Sequence, residues 1–283
     1  MLGHKVWQVL HDRFDTRATV RAADVPWVEV FTAGRAISNV RADDFDSVVR
    51  ACAEARPQVI VNCIGLVKQI KAASDPMPGI AINALFPHRL AALARAAGAR
   101  LLHISTDCVF AGTRGGYSES DAPDAADLYG RTKLLGEVTG AGCLTLRTSI
   151  IGRELSGTTA LAEWFLAHRG GRVTGYTHAR FSGLTTGLLA QVIGDLIEKH
   201  PALDGLYHMA SVPISKYDLL RKLNDAFDAG VTIDPSDQVR IDRSLDGSRF
   251  AAATGWTVPT WDAMVAALAA DPTPYEEWRS RRV

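Results

Sequence analysis

The sequence predicts an α/β protein: a doubly wound parallel sheet, with a smaller α+β lobe drawn from the second half of the chain. Three observations carry this. Residues 58–65 (QVIVNCIG) and 99–106 (ARLLHIST) are near-continuous apolar runs, as in strands buried on both faces of a parallel sheet. Helical patterns separate them, the strand–helix–strand rhythm of βαβ units. The second run ends on Ser105-Thr106-Asp107, polar residues at the carboxyl end of a strand, where ligands bind in such sheets.

In chain order, residues 3–14 place Val6, Leu10 and Phe14 on one helical face, and 18–21 (ATVR) reads as a short strand. Residues 44–55 open with an acidic turn and direct Val48, Val49 and Cys52 inward as a helix. After the 58–65 strand an alanine-rich helix is expected at about 80–98, then the 99–106 strand, a helix over 126–139 and a strand over 143–150 (CLTLRTSI). Beyond 150 the pattern loosens. Helices are expected near 158–168 and 184–199, a strand at 205–211, an amphipathic helix over 213–228 with a serine cap, and a last helix near 260–270. The predicted division is a cofactor lobe over 1–150 and a substrate lobe over 151–283, some of whose segments pack back on the sheet.

At 283 residues the chain is long enough for one large or two modest cores. Thirty-one basic residues balance thirty-one acidic ones, so charge gives no reason to expect nucleic acid or an anionic membrane as partner. There is no apolar run long enough to span a bilayer and no secretory signal pattern at the start. The four cysteines are far apart and the eight histidines scattered, which reads as reduced thiols of a cytoplasmic protein with no metal site.

The chemistry concentrates in STDCVFAG at 105–112 and YGRTK at 129–133. Tyr129 and Lys133 are four apart on a predicted helix and share a face. A free phenol, with a pKa of about 10, exchanges protons poorly at neutral pH. A neighbouring ammonium would lower that pKa and suit Tyr129 to a carbonyl or alcohol oxygen. Ser105 and Thr106 could hold the same oxygen with their hydroxyls. The bland alternative is a Tyr and a Lys on a solvated helix face.

With these residues in hand the chain resembles an extended short-chain dehydrogenase/reductase, and within that group the dTDP-4-dehydrorhamnose reductases. The likeness is carried by Met1-Leu2-Gly3-His4, Asn62-Cys63-Ile64-Gly65, Asn83 in AINALFPHR, the 105–112 block, Tyr129 to Lys133, Leu146-Arg147-Thr148-Ser149 and RFSGLTT at 180–186. The resemblance implies a Rossmann-like fold and NAD(P)H-dependent reduction of the C4 keto group of a nucleotide-linked 6-deoxy-4-keto sugar. Tyr129 would be the general acid, Lys133 would lower its pKa and hold the nicotinamide ribose, and Thr106 would hold the carbonyl oxygen. The cofactor would meet Gly3, His4, Arg21, Asn62, Cys63, Ile64, Gly65, Ser105, Tyr129, Lys133, Thr148 and Ser149. The substrate would meet Thr106, Asp107, Arg180 and Phe181. The alternative for Asn62 is a strand-end turn residue, and Asn83 reads equally as a helix-packing or water-binding residue or as a support of the cofactor.

Two departures from the family pattern bear on specificity. Arg180-Phe181 stands where those reductases carry an Asp-Gln pair, so Arg180 either grips a pyrophosphate or is a surface charge. Arg21 follows the second predicted strand, where an acid favours NAD and an arginine suits a 2′-phosphate, which favours NADPH with NADH as the alternative. The first strand and most of the glycine-rich turn of the resembled fold are missing, because the chain begins inside that turn. The natural protein is therefore expected to be longer by about a dozen residues. Rival expectations are a nucleotide-sugar epimerase or dehydratase, although Asp107-Cys108 supplies only half of a dehydratase's Asp-Glu pair, and a non-catalytic NAD(P)-binding regulatory subunit. A homodimer is compatible with each.

Overall fold

The computed structural model describes residues 1–23, 30–31, 35–67 and 75–280. Helix α1 (Leu2–Leu10) buries Leu2, Val6 and Leu10, spaced by four, and hydrogen-bonded turns follow it to Phe14. Strands β1 (Ala18–Thr19) and β2 (Ala36–Ile37) pair in parallel. In α2 (Phe45–Ala55) the inward residues are Ser47, Val48 and Ala51. Val49 is 39% exposed, so the buried stripe sits about one position earlier than the sequence suggested. Strand β3 (Val59–Asn62) ends sooner than the apolar run, because the Asn62 side chain accepts from the Ile64 N–H (3.0 Å) and turns the chain off the sheet.

The alanine-rich segment is three pieces in series: α3 (Pro76–Gly79), a π-helical turn (Ile80–Leu85) and α4 (Phe86–Ala96). Strand β4 (Arg100–Thr106) runs into a 3-10 turn over Asp107–Val109. Then come α5 (Leu128–Leu135), β5 (Cys143–Thr148), β6 (Ile150–Ile151), α6 (Leu161–Leu166), β7 (Arg172–Phe181), β8 (Leu184–Thr185) and α7 (Thr186–Lys199). The chain closes with β9 (Gly205–His208), β10 (Ile214–Ser215), α8 (Lys216–Phe227), β11 (Thr232–Asp242), α9 (Ser248–Thr254), α10 (Trp261–Ala269) and α11 (Tyr275–Ser280). The serine cap of α8 forms as expected, Ser215 Oγ accepting from the Asp218 N–H at 2.9 Å.

The main sheet is parallel in the order β3-β4-β5-β9. Leu101 and Leu102, adjacent on β4, point into different cores, as the two-residue period of a strand requires. One face packs against α2 and α4 through Val48, Phe86 and Leu90. The other packs against α1 and α7 through Val6, Leu10, Ile193 and Leu196. Helices on both faces make the sheet doubly wound. Among the described residues β1 and β2 pair only with each other, and β3 is an end strand of the four-stranded sheet. Among the described residues these are two separate parallel sheets.

A mixed sheet β10-β7-β11 lies outside the main one. Sequence reading missed β7 and β11. The latter is mostly exposed and contains Pro235, so it lacks an apolar signal; it belongs to the sheet by pairing along β7, at an edge where proline is tolerated.

One buried ion pair ties α5 to the main sheet. Glu137, just past α5, receives two parallel hydrogen bonds from Arg147 of β5, Nε and Nη2 each at 2.8 Å, and a third from Ser105 Oγ of β4 at 2.7 Å. Both side chains are under 10% exposed. Arg147 also donates to His208 Nε2 of β9 at 3.2 Å, so the network joins three neighbouring strands, two of them directly at the carboxylate. Removing one member leaves the other charge buried and uncompensated. Glu137→Gln is therefore expected to cost about 3–5 kcal/mol of unfolding free energy in denaturant melts, with Glu137→Met/Arg147→Met recovering part of the loss. An unchanged midpoint for the single variant would count against this role.

Candidate active site

The carboxyl ends of β3, β4 and β5 and the first turns of α5 meet at one place. Asp127 caps α5 by accepting from the Gly130 N–H at 2.7 Å. Gly130 has no room for a side chain: a Cβ there would fall 2.2 Å from the Cys108 carbonyl oxygen. Gly136 is as restricted, 1.9 Å from the Asn83 carbonyl oxygen by the same measure. These two glycines let α5 press onto the 3-10 turn at one end and the π-helical turn at the other, which brings Tyr129 and Lys133 to the strand ends.

Lys133 is buried, and its Nζ donates to the Ile104 carbonyl at 2.8 Å. Desolvation lowers its pKa to about 8, against the pull of Glu137 and Cys63. The Tyr129 phenol moves the other way. Burial and the nearby Cys108 push it above its usual value, and a hydrogen bond with Thr106 opposes them. The lowering of Tyr129 by Lys133 expected from the sequence is not found here, because the ammonium is engaged by a backbone carbonyl and burial dominates the phenol. Thr106 Oγ1 accepts from the Cys108 N–H at 3.2 Å and donates to Asp107 Oδ1 at 3.1 Å. Asp107 is buried, and desolvation raises its pKa.

Asn62 and Asn83 shape the loop after β3. Asn62 Nδ2 donates to His103 Nδ1 at 3.0 Å. Asn83, in the π-helical turn, accepts from the Leu66 N–H at 2.8 Å and donates to the Leu66 carbonyl at 3.1 Å. Gly65 is held between them and Lys133: a Cβ there would stand 3.3 Å from Asn83 Oδ1 and 3.9 Å from Lys133 Nζ. Both asparagines therefore do the turn-forming work that was the alternative reading for Asn62.

The expected cofactor residues divide into those that reach this place and those that do not. α1 begins with no side-chain cap, so its first N–H groups are bare, and a Cβ on Gly3 would lie 3.8 Å from the Cys63 Cβ. Bare helix N–H groups beside a strand end are a donor set suited to a diphosphate. Ile64 and Val67 are apolar yet 38% and 39% exposed, a surface suited to a flat ring. The residues present thus fit a dinucleotide. Thr148 ends β5 and donates to the Ser149 carbonyl at 3.2 Å. His4 turns away: its Nε2 bonds the Tyr275 hydroxyl at 2.9 Å, and burial lowers its pKa to about 3. Ser105, one residue before Thr106, faces Glu137 on the opposite side of β4. Arg21 is exposed just past β1, in electrostatic reach of Asp43.

On the substrate side, Arg180 and Phe181 are neighbours on β7 and so project from opposite faces. Arg180 is half-exposed, 3.7 Å from Asp242, in a cleft of about 360 Å³ shared with His178 and Arg240. Phe181 is buried against Trp261, with Lys216 Nζ 4.6 Å from its ring centre. Sequence reasoning missed Glu137 and Lys216. The second had a visible signal, a cation in the first turn after a serine cap, where helices disfavour one.

An open parallel sheet whose strand ends gather a Tyr–Lys pair and a threonine hydroxyl defines a Rossmann-like protein of the short-chain dehydrogenase/reductase kind. The chain belongs to the RmlD substrate binding domain family, which matches residues 16–271. It is 42% identical over 95 residues to a dTDP-4-dehydrorhamnose reductase of Streptomyces griseus, covering 33% of this chain and 31% of that protein. It is 29% identical over 197 residues to methionine adenosyltransferase 2 subunit beta of Rattus norvegicus, covering 65% and 59%. The chain thus spans about a third and about three-fifths of these two relatives. The crystal structure of a Bacillus anthracis dTDP-4-dehydrorhamnose reductase in complex with NADP superposes with a TM-score of 0.72 at 21% identity, covering 84% of this chain and 90% of that one, a likeness of fold.

The depressed pKa of Lys133 has a measurable sign. The unfolded ammonium titrates at about 10.4. The folded chain therefore releases this proton first, and the group's contribution to stability grows as pH rises from about 8 towards that value. The Lys133 ¹⁵Nζ resonance is expected to titrate near 8, and a midpoint at the free-lysine value would contradict the burial described here.

Proposed function

We propose that the protein is an NAD(P)H-dependent reductase of a nucleotide-linked 6-deoxy-4-keto sugar. The observation that carries this reading is the convergence of the Tyr129 hydroxyl, the Thr106 hydroxyl and the Lys133 ammonium at the carboxyl ends of β3 and β4. Family membership and the Streptomyces relative support the substrate class.

Each side chain has a distinct task. The raised pKa of Tyr129 keeps the phenol protonated at neutral pH, which is the form a reduction consumes. Its O–H donates to the C4 carbonyl oxygen, and Thr106, turning its one O–H from Asp107, would donate to that same oxygen. Lys133 lies one turn further along α5 and would return a proton to the phenolate and hold a ribose hydroxyl. NADPH supplies, when bound, the hydride that adds to C4 as the oxygen is protonated. The bare N–H groups at Leu2–His4, the loop Asn62–Gly65, Thr148 and Ser149 would hold it, and Arg21 would face a 2′-phosphate. In this reading residues 1–150 serve the cofactor and 151–283 the sugar nucleotide, in the cytoplasm where such sugars are made. No described helix is long and apolar enough to cross a membrane.

A second reading, a non-catalytic NAD(P)-binding regulatory subunit, is favoured by one observation: the methionine adenosyltransferase beta-subunit relatives match about two-thirds of the chain. Turnover separates the two. With NADPH and a panel of dTDP-, GDP- and UDP-linked 4-keto-6-deoxy sugars, the reductase reading expects loss of NADPH absorbance. It also expects Tyr129→Phe to lower kcat by about 100-fold or more while NADPH affinity stays within about twofold. Tight NADPH binding with no oxidation of any sugar would select the regulatory reading.

A further inference from the structure

Lys216 occupies a position that should repel it. It is the first residue of α8, so its charge stands at the positive end of the helix dipole. It is half-buried, and desolvation lowers its pKa. The carboxylate nearest in sequence, Asp218, is already bonded to Ser215 Oγ at 2.6 Å. The negative groups that reach Lys216 through space are Asp107 and Cys108. Asp107 answers weakly: it is buried, pushed towards its neutral form, and accepts a hydrogen bond from Thr106. What holds the ammonium is the ring face of Phe181, 4.6 Å from its centre. Among the described residues Lys216 has no ion-pair partner within 4 Å.

The place of this ammonium says what it is for. Asp107 follows Thr106, and Tyr129 is hydrogen-bonded to Thr106, so Lys216, in electrostatic reach of Asp107, brings a cation from the second half of the chain to the neighbourhood of these groups. Ser215 pairs with Arg180 across β10 and β7, which sets the arginine on the other side of that strand from Phe181 and Lys216. A half-buried cation without an ion-pair partner is stabilised by an incoming anion. A sugar whose keto group meets Tyr129 carries its nearest full negative charge on the phosphate of its own glycosyl linkage.

We propose that Lys216, seated on Phe181, binds the sugar-proximal phosphate of a nucleotide-diphosphate sugar and anchors the sugar opposite Tyr129. The inference rests on the nucleotide-sugar reading above and names a residue that reading leaves without a task. In dTDP the terminal phosphate is the sugar-proximal one, and dTMP lacks it.

Calorimetric titration of the full chain with dTDP and dTMP, without substrate turnover, tests it. Wild type is expected to prefer dTDP over dTMP at least tenfold. Lys216→Met should lose most of that preference, and Lys216→Arg should recover part of it. NADPH affinity should stay within twofold in both variants, which also reports that they are folded. Arg180→Gln should lose less of the preference than Lys216→Met. An equal dTDP/dTMP ratio in wild type and Lys216→Met overturns the proposal, as does wild type that binds neither nucleotide. If no sugar is reduced but the preference depends on Lys216, the reductase reading fails and this one stands.

Discussion

The Glu137–Arg147 ion pair is the constraint on which the site depends. α5 contributes Tyr129 and Lys133, yet it has only eight residues and a weakly apolar buried face. Two glycines allow it to approach its neighbours but do not hold it there. Position is fixed by the carboxylate just beyond its last turn, which binds β4 through Ser105 and β5 through Arg147. Arg147 carries the same constraint to His208 on β9 and lies 5.3 Å from the ring centre of Phe110. Phe110 stacks on Tyr117 at 4.2 Å, and the Tyr117 carbonyl accepts from His208 Nδ1 at 3.0 Å. A helix too short to be fixed by apolar packing alone is thus fixed by a charge network it closes.

Burial acts on the site's charges in opposite directions. It drives the Tyr129 phenol up and the Lys133 ammonium down, so each is pushed towards its neutral form. Asp107 and Lys216 are pushed the same way on the facing side. Among the described residues no ion pair joins these four groups to one another. Lys133 is held instead by the Ile104 carbonyl, Asp107 and Tyr129 by the Thr106 hydroxyl, and Lys216 by the ring of Phe181. A set of groups disfavoured as ions in the free protein is one that a charged, hydrogen-bonding ligand stabilises on arrival.

Fold class was legible wherever residues are buried on both faces. QVIVNCIG and ARLLHIST announced β3 and β4 by apolar continuity, and Ser215 marked the start of α8 by its side chain. Elements held by backbone pairing alone left no trace: β11 is exposed and contains a proline, and β2 is two residues long. At the site, Tyr129, Lys133 and Thr106 were legible through spacing and strand-end position. Ser105 and His4 were misplaced for local geometric reasons, since Ser105 alternates to the far face of β4 and His4 rotates towards Tyr275. Glu137 was invisible because a glutamate just past a helix looks like a solvated residue until its partner ten positions later is folded over it.

The division of the sheet gives these observations a common consequence. β1 and β2 bond to each other and β3 is an end strand, so backbone pairing joins the strands around the site only from β3 onward. Every residue of the proposed proton-transfer set lies on that continuous side: Thr106 on β4, Tyr129 and Lys133 on α5. The anchoring pair Glu137–Arg147 lies there too. The residues assigned to the diphosphate and the 2′-phosphate, Gly3 and Arg21, lie on α1 and after β1, which reach the main sheet through side-chain packing or not at all among the described pairings. The proposed acid–base residues are therefore joined to the sheet by continuous backbone pairing, while α1 joins it by packing Leu2, Val6 and Leu10 into the same core.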